Sequence, residues 1–387
     1  MNKRVKILTS GESHGKCLNA IIEGLPSNIS ISVDKINENL ARRQKGYGRG
    51  GRMKIETDKV EIKSGIRHGK TTGAPICLEI KNKDYENWQK VMCPEEIELT
   101  QEVLEALESK SFTKLRPGHA DFAGCVKYNT KDLRNILERS SARKTAIEVA
   151  VGSIAQQVLA NFGIEGTCTV KRIGSVENTK ELPSFETIKE LSETSEVRCW
   201  DREVSEQMKT EIDKAQEIGT TLGGEIEVYY QGLPVGLGSC MSYERAIDGL
   251  ISQAVMSIPA IKSVEFGLGK DVAKLFGKDV HDPFVYENNE IKRTSNNAGG
   301  VEGGMTNGET LVVRASMKPI PTMKTPLPTV DIKDMTNSEA HFERSDCCAV
   351  PACAVVAEMR VATVLLDEFL IKFGGDSLEE VKAHYGK

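Results

Sequence analysis

Residues 140–161 read SSARKTAIEVAVGSIAQQVLAN, and this stretch decides the fold class. It predicts a long helix that stops at Gly163. Small and apolar residues occur on all sides of this helix rather than along one stripe, which is typical of a helix that is buried all round. Residues 351–373, PACAVVAEMRVATVLLDEFLIKF, repeat the pattern. We therefore expect two long, central helices.

The segments around these helices predict short strands that are mostly not in βαβ alternation. Patterns typical of strands occur at residues 5–9, 18–22, 60–62, 76–80, 225–230 and 311–315. A shorter helix is expected after Asp34 as N-cap, and another over residues 246–258. This order disfavours a doubly wound parallel sheet. It favours an α+β fold, a β-α-β sandwich with the long helices packed between antiparallel sheets.

We predict that residues 1–387 form a single domain with two charged additions. Residues 84–114 are polar and acidic, with a helical segment at 94–109, and are expected to be a peripheral insertion. Residues 177–218 are expected to form a charged helical excursion on the outside. An arginine–serine pair precedes each long helix, at Arg139-Ser140 and Arg344-Ser345. The two pairs hint at an internal two-fold repeat, although chance is an equally good explanation.

The composition excludes several classes of protein. The net charge of -5 argues against a general binder of nucleic acids or membrane surfaces, and aromatic residues, at 5%, are too few for base stacking. The start lacks the apolar run of a signal peptide, and no apolar run of about 18 residues occurs. We expect a cytoplasmic protein with reduced cysteines. None of the ten cysteines has the spacing of a metal site, so no metal is predicted.

Residues 42–54 concentrate positive charge in a glycine-rich stretch. They include Arg42, Arg43, Lys45, Arg49, Arg52 and Lys54. Guanidinium groups match the geometry of phosphates and carboxylates, and glycines let backbone N–H groups approach the same anion. The stretch predicts an anion-binding loop, and a solvated basic loop is the simpler alternative.

Two histidines lie in turns suited to ligand contact. His14 lies between glycines in GESHG, residues 11–15, directly after the first strand. His119 lies in RPGHAD, residues 116–121, with Arg116 before it and Asp121 after it. With an ordinary pKa of about 6.5, histidine exchanges protons near neutral pH, as acid–base chemistry at a phosphate ester requires. Surface histidines in ordinary turns are the alternative.

Three further segments indicate contacts with an anion or a planar ligand. Arg134 and residues 139–143 are expected at the N-terminus of the first long helix, where free N–H groups attract anions. Residues 297–304, NAGGVEGG, lack the spacing of dinucleotide-binding and P-loop motifs. Residues 318–322, KPIPT, end a strand with a cation and two prolines, which form a rigid edge.

Taken together and in this order, GESHG, RPGHAD, ERSSAR, NNAGGVEGG, KPIPT and RSD resemble the chorismate synthase family over residues 5 to about 370. The departures are the acidic segment around residues 84–109 and Cys347-Cys348, and neither is expected to touch a motif residue. The resemblance implies a homotetramer with a β-α-β sandwich fold. It also implies conversion of 5-enolpyruvylshikimate 3-phosphate to chorismate, the last common step of the shikimate pathway. This 1,4-elimination of phosphate needs reduced FMN without net redox change, and NADPH is a candidate reductant.

The resemblance also assigns roles to residues. His14 would protonate the reduced flavin, His119 would serve the leaving phosphate, and Asp346 would help to remove the C6 proton through flavin N5. Residues matching FMN contacts are Arg139, Ser140, Ser141, Pro259, Ala260, Gly303, Lys318, Pro319, Ile320, Pro321, Thr322 and Arg344. Residues matching substrate or NADP contacts are Ser13, Arg43, Arg49, Arg52, Arg116 and Arg134. Arg42 is expected among the same cations, and a role for Asp346 as a mere helix N-cap is the alternative to catalysis.

Two other functions fit parts of the sequence. One is a flavin-dependent oxidoreductase acting on an anionic substrate, although nothing resembles a nicotinamide-binding Rossmann segment. The other is an RNA-binding protein that uses residues 42–54, against which the net acidic charge and the scarcity of aromatic residues argue.

Overall fold

The computed structural model describes residues 3–49, 57–340 and 346–386. The strands are β1 (Lys6–Ser10), β2 (Cys17–Glu23), β3 (Val60–Ser64), β4 (Ile66–Arg67), β5 (Lys70–Thr71), β6 (Ile76–Lys81), β7 (Glu165–Ile173), β8 (Val176–Glu177), β9 (Gly224–Gln231), β10 (Ile261–Phe266), β11 (Phe284–Glu287), β12 (Glu290–Arg293), β13 (Val301–Glu302), β14 (Met305–Thr306), β15 (Leu311–Met317), β16 (Pro328–Asp331) and β17 (Thr336–Glu339). The helices are α1 (Val33–Gln44), α2 (Gln101–Lys110), α3 (Asp121–Tyr128), α4 (Arg134–Ser140), α5 (Thr145–Ala160), α6 (Phe185–Thr194), α7 (Arg202–Glu217), α8 (Ile247–Met256), α9 (Gly277–Val280), α10 (Val350–Phe373) and α11 (Leu378–Tyr385).

Two antiparallel sheets form the outer layers. The first has the strand order β1-β2-β6-β3, and the second has the order β10-β15-β9-β7-β8. Strand β6 shows why one face of the first sheet is covered, because Ile76, Leu78 and Ile80 alternate with more exposed residues and are buried on the same side. The short strands form two-stranded pairs at the edges of the molecule.

The two long helices lie between the sheets. All residues from 145 to 155 in α5 and from 350 to 359 in α10 are buried. Helix α5 packs on β2 and β6 of the first sheet, α10 packs on β7 and β9 of the second, and the two helices pack on each other. Helices α1 and α8 complete this layer against α10. The predicted α+β class and the β-α-β sandwich are confirmed.

The strand order also contains the repeat at which the arginine–serine pairs hinted. In the first sheet the strands β1, β2, β3 and β6 are arranged in the order 1-2-4-3, and β7, β9, β10 and β15 have the same order in the second. In each half a helix, α1 or α8, follows the second strand, and a long helix, α5 or α10, follows the fourth. The chain therefore repeats one supersecondary unit, and the two long helices are equivalent members of it.

Several helix boundaries differ from the predictions. Helix α1 is capped by Ser32, whose side chain accepts a hydrogen bond from the Lys35 amide, so Asp34 lies inside the first turn. The helix predicted at 94–109 begins only at Gln101, with Thr100 as its cap. The helix predicted over 140–161 is broken at Ser141, which is extended (φ -62°, ψ 145°) and accepts from the Arg143 amide. Serine side chains compete for backbone N–H groups, which favours such interruptions.

The two charged segments are helical in part. Residues 177–218 contain α6 and α7, which pack on β7 from outside. The other segment has a 3₁₀ turn at Lys83–Asn87, followed by α2. Within the three ranges that are described, no helix has the length and apolar character needed to cross a membrane.

The crossing of α5 and α10 is close enough to require glycine at position 152. A Cβ there would lie 2.3 Å from Met359 Cβ and 2.6 Å from the Met359 carbonyl oxygen. We expect Gly152→Ala to lower the free energy of unfolding by about 1–3 kcal/mol or more, because added volume strains a close-packed core. Urea denaturation measures the change.

Gly249→Ala in α8 is the matched control. Nothing lies within 4 Å of a Cβ built at Gly249, so alanine should stabilise by up to about 1 kcal/mol through helix propensity. Equal effects of the two substitutions would contradict a tight helix crossing.

Candidate functional site

His14 is held by a buried carboxylate from α4. Its Nδ1 lies 2.8 Å from Glu138 Oε1, and its backbone N–H donates to Glu138 Oε2 over 2.7 Å. Arg134 Nη1 donates to Glu138 Oε1 over 3.0 Å, one helical turn away. Burial alone would raise the pKa of the Glu138 carboxyl, but its hydrogen bonds with His14 and Arg134 lower it. The sequence analysis missed Glu138, although its place four residues after Arg134 indicates an ion pair on a helix.

Trp88 contacts His14 and corrects the prediction that the acidic segment touches no motif residue. The indole stacks on the imidazole with ring centroids 3.8 Å apart and an interplanar angle of 25°. Arg134 Nε also donates to the Lys110 carbonyl oxygen at the end of α2. Residues 84–114 are therefore not wholly peripheral, because the buried Trp88 ring contacts His14 and the Lys110 carbonyl oxygen binds Arg134. A tryptophan in a polar segment was the signal that could have indicated this contact, because such a ring is usually buried.

His119 lies beside a buried ion pair that forms within its own turn. The Arg116 guanidinium binds both oxygens of Asp121, each over 2.8 Å, and the Arg116 amide donates to Asp121 Oδ2 over 2.9 Å. His119 Nδ1 lies 2.9 Å from Arg116 Nη2 and 3.1 Å from Asp121 Oδ1. Burial alone would raise the pKa of Asp121, but the hydrogen bonds from Arg116 and His119 hold it well below its usual value. Part of the charge of Arg116 is thus neutralised within the turn.

Two predicted cofactor residues keep their positive charge uncompensated within the described ranges. Arg139 donates to the carbonyl oxygens of Thr9 and Gly11, over 2.8 and 3.0 Å, and to the Thr9 hydroxyl. Lys318 Nζ donates to the Gly118 carbonyl oxygen. Burial and the nearby Lys262 lower the pKa of Lys318. Because these partners are neutral, Arg139 and Lys318 can still attract an anion.

Three described arginines of the predicted anion-binding loop, at positions 42, 43 and 49, pair with carboxylates within the protein. Arg42 pairs with Glu193 and Glu358, over 2.6 and 2.8 Å, and its expected place among the cations of the site stays a prediction. Arg43 donates to the Thr145 hydroxyl over 2.8 Å and to the Ala142 carbonyl oxygen over 3.1 Å, next to the start of α5. Arg52 lies outside the described residues.

Arg49 and Asp346, which sequence analysis placed in different groups, are an ion pair. Arg49 Nε lies 3.1 Å from Asp346 Oδ2, and the Cys347 amide donates to the Gly48 carbonyl oxygen over 2.9 Å. Helix α10 starts at Val350 with Ala349 as its N-cap. The alternative that Asp346 is a helix cap is therefore wrong. Arg344 lies outside the described residues.

The backbone around the predicted cofactor residues is suited to a flat ligand. Lys318 N donates to the Ala260 carbonyl oxygen over 2.9 Å, and Ala260 has a positive φ of 74° beside Pro259. The Ile320 carbonyl oxygen, between Pro319 and Pro321, accepts from the Thr221 hydroxyl over 2.6 Å, and Thr322 is buried. Gly303 has φ 57°, and a Cβ there would meet nothing within 4 Å. The strip at residues 318–322 is therefore restrained, and there is separate open space beside Gly303; both features suit a flat ligand such as FMN.

The glycine-rich loop that carries Gly303 is fixed by a carboxylate. Asp282 accepts from the amides of Asn297 and Ala298, over 2.7 and 3.0 Å, and from the Ser295 hydroxyl. Burial alone would raise the pKa of Asp282, but these hydrogen bonds lower it. Beside the loop is a cavity of about 480 Å³, lined in part by Asp282, Ala298 and Glu302. No pattern in the sequence indicated this role for Asp282.

Direct contacts join most of the predicted motifs. Ser141 Oγ donates to Ser13 Oγ over 3.2 Å, and the Ser13 amide donates to the Glu138 carbonyl oxygen over 3.0 Å. Lys318 joins the His119 turn through Gly118. No described contact joins Gly303 or the Arg49–Asp346 pair to either histidine. Ser140 Oγ donates back to the Leu137 carbonyl oxygen, within α4.

These contacts give a candidate enzyme site made of two clusters, each with a histidine beside a buried carboxylate and a nearby cation whose partners are neutral. Such a site suits acid–base chemistry on an anionic small molecule. Residues 5–370 match the family model described as chorismate synthase. The chain is 51% identical over 389 residues to a chorismate synthase of Geobacter sulfurreducens, covering 98% of this chain and 97% of the relative.

Two further comparisons agree. A chorismate synthase of Aquifex aeolicus is 50% identical over 393 residues, covering 98% of this chain and 96% of the relative. A crystal structure of a chorismate synthase superposes with a TM-score of 0.78 and 40% identity, covering 99% of this chain and 96% of that one. The chain belongs to the chorismate synthase family. The predicted family, and with it a carbon–oxygen lyase of aromatic amino acid biosynthesis, is confirmed.

The buried pair at the His119 turn makes a test of stability against pH. We expect Asp121→Asn to lower the free energy of unfolding at pH 7 by about 2–4 kcal/mol, because it removes the carboxylate charge that binds a buried guanidinium through two hydrogen bonds. The folded-state pKa of Asp121 lies below its unfolded value of about 3.9. The difference from wild type should therefore be constant from about pH 7 to 5 and shrink below about pH 4.

Asp376→Asn is the control, since the Asp376–Arg4 pair is exposed and such pairs contribute about 0–1 kcal/mol. Urea denaturation at several pH values measures both variants. A deficit for Asp121→Asn that does not change down to pH 3 would rule out the ionised pair as its cause.

Proposed function

We propose that this chain converts 5-enolpyruvylshikimate 3-phosphate to chorismate with reduced FMN bound at the strip formed by residues 318–322. The phosphate leaves in a 1,4-elimination that also removes a proton from C6. The observation that supports this most is the pairing of His14 and His119 with separate buried carboxylates beside Arg139 and Lys318. An elimination that expels an anion needs proton transfer and a site for negative charge together.

His14 is suited to exchange a proton through Nε2. Its Nδ1 faces the Glu138 carboxylate, which only accepts hydrogen bonds, so Nδ1 carries a proton in either charge state. Nε2 is then the nitrogen that gains or loses a proton during the reaction.

His119 is suited to serve the leaving phosphate. His119 Nδ1 lies 2.9 Å from Arg116 Nη2, which is a donor, and 3.1 Å from Asp121 Oδ1, which is an acceptor. In the neutral tautomer in which Nδ1 accepts from Arg116, the proton of the ring lies on Nε2. In that tautomer Nε2–H can donate to an oxygen of the departing phosphate. Lys318, which binds the same turn through Gly118, adds positive charge where the phosphate charge develops.

Asp346 is the proposed acceptor in removal of the C6 proton. Its carboxylate is oriented by Arg49, and their pairing brings the predicted anion-binding loop next to the start of α10. Because a guanidinium has five N–H donors, Arg49 is also the proposed contact for a substrate or NADP phosphate. Arg43, Arg52, Arg116, Arg134 and Ser13 are proposed for the same anionic ligands.

The cofactor would be held by residues from four segments. These are Arg139, Ser140 and Ser141, then Pro259 and Ala260, then Gly303, and the strip from Lys318 to Thr322, with Arg344 as a further contact. Reduced FMN, when bound, supplies electron density to the elimination without net redox change. The proposed role of these residues is to bind and orient the cofactor, and there is open space for a ligand beside Gly303.

The remaining properties that the family resemblance implies are proposed with this function. The chain would form one domain over residues 1–387 and assemble as a cytoplasmic homotetramer, and NADPH is a candidate reductant for FMN. The substrate is a small anionic molecule rather than a nucleic acid, because the basic residues of the loop that are described are mostly paired within the protein.

An anaerobic assay with 5-enolpyruvylshikimate 3-phosphate and chemically reduced FMN tests the function. We expect many phosphates released per flavin, chorismate formation, and no matching oxidation of the flavin; oxidised FMN alone should support no turnover. One flavin oxidised for each phosphate released would identify an oxidoreductase instead. A parallel reaction with FMN and NADPH shows whether the chain reduces its own cofactor.

Asp346→Asn tests the proposed proton acceptor. Asparagine keeps an oxygen that Arg49 can bind but accepts no proton, so we expect normal thermal stability and FMN binding. We expect kcat to fall by about 10²-fold or more, as for loss of a general base. Asp334→Asn, in the exposed turn between β16 and β17, is the control and should retain full activity. If Asp346→Asn keeps most of its activity, Asp346 only anchors Arg49.

A further inference from the structure

His14 belongs to a closed ring of four side chains, one of which comes from the acidic segment. From His14 the contacts run to Glu138 over 2.8 Å and from Glu138 to Arg134 over 3.0 Å. Arg134 Cζ lies 4.9 Å from the centroid of the Trp88 ring, and Trp88 stacks back on His14 at 3.8 Å. Lys110 Nζ lies 4.6 Å from the same indole centroid. Each member of the ring restricts the next.

The position of Trp88 is fixed independently of its stacking contact. Its indole N–H donates to Asp84 Oδ2 over 3.0 Å, and its amide donates to the Tyr85 carbonyl oxygen over 2.8 Å. Asn82 caps this 3₁₀ turn, accepting from the Asp84 amide over 3.1 Å. The Asn82 amide group also donates to the carbonyl oxygens on either side of His14, those of Ser13 and Gly15, over 3.2 and 3.0 Å. These hydrogen bonds fix the position of the turn that carries Trp88 relative to the turn that carries His14.

We propose that Trp88 is a positioning residue for His14, which keeps imidazole Nδ1 on Glu138 and so leaves Nε2 to exchange the proton. This inference rests on the function proposed above and adds to it a role for the segment at residues 84–114. A single hydrogen bond leaves an imidazole free to turn about its χ2 bond, which is a broad torsion. A nearly parallel indole at stacking distance covers one face of the ring and prevents that rotation.

The stack also keeps water away from the carboxylate. Trp88 is 8% exposed and His14 is 9% exposed, so the stacked rings are largely shielded from solvent. The Glu138 side chain beneath them is 2% exposed. In such a dry environment the His14–Glu138 hydrogen bond is stronger than it would be in water. The cations on the indole, Arg134 and Lys110, hold the ring by cation–π attraction and oppose its rotation outward.

The tautomer of His14 gives a readout that a purely structural tryptophan would not change. In protein labelled with ¹⁵N-histidine, two-bond ¹H–¹⁵N spectra show which ring nitrogen carries the proton, and the His14 signal is the one lost in His14→Gln. We expect wild type at mildly alkaline pH to show Nδ1–H alone. Trp88→Ala should show a mixture of both tautomers, and Trp88→Phe, which can still stack, should resemble wild type.

Two further variants control for folding and for loss of any aromatic ring. Trp88→Leu fills most of the volume without an aromatic face, and it should give the mixture even if Trp88→Ala does not fold. Tyr85→Ala removes a ring from the same turn without touching His14 and should leave the tautomer and the activity unchanged. A single Nδ1–H tautomer in Trp88→Leu would overturn the proposal.

Kinetics separate this proposal from the function on which it rests. We expect Trp88→Leu to lower kcat by about two- to tenfold, the size of an aromatic pair contact, with KM within about twofold of wild type. A mixed tautomer with unchanged kcat would confirm that Trp88 positions His14 while refuting the proton-transfer role of His14. A reduced kcat with an unchanged tautomer would overturn the positioning role and leave the proposed function intact.

Discussion

The contact between α5 and α10 is the interaction on which the rest of the structure depends. Gly152 of α5 lets the Met359 backbone approach, so the two helices pack closely enough to be buried on every side. Polar groups on such helices must find partners inside the protein, since an unpaired buried charge is costly. Glu358 of α10 therefore binds Arg42 of α1, and this ion pair locks α1 onto the central layer.

That structural ion pair determines where the functional residues next to it lie. With Arg42 fixed, the adjacent Arg43 reaches Thr145 at the start of α5. The chain that leaves α1 then passes Pro351, which lies 3.5 Å from a Cβ built at Gly46, and brings Arg49 to Asp346 before α10. The packing of α1, α5 and α10 therefore also positions residues of the candidate site. The same stretch of basic residues supplies first a structural cation and then the cations proposed to bind an anionic ligand.

The sequence predicted the architecture well because the two buried helices have an unusual composition that few other folds tolerate. Patterns local to one motif were also informative, as at Arg116, His119 and Asp121, which contact one another within six residues of the chain. The break at Ser141 was missed because serine fits both a helix interior and a cap, and tertiary contacts with Ser13 decide between them. Glu138 and Trp88 were missed because their contact with His14 joins segments far apart in the chain.

The distribution of these partners follows from the reaction proposed for the site. A 1,4-elimination moves a proton and a phosphate at opposite ends of a conjugated system, so the groups that handle them must be held apart. His14 lies between β1 and β2, His119 before α3, and Asp346 before α10, each on a different element. Each is oriented by a charged partner: Glu138, Asp121 and Arg49. The partners of His14 and Asp346 come from distant segments, so these two side chains are oriented only in the folded protein. The His119 turn, by contrast, can form its ion pair locally.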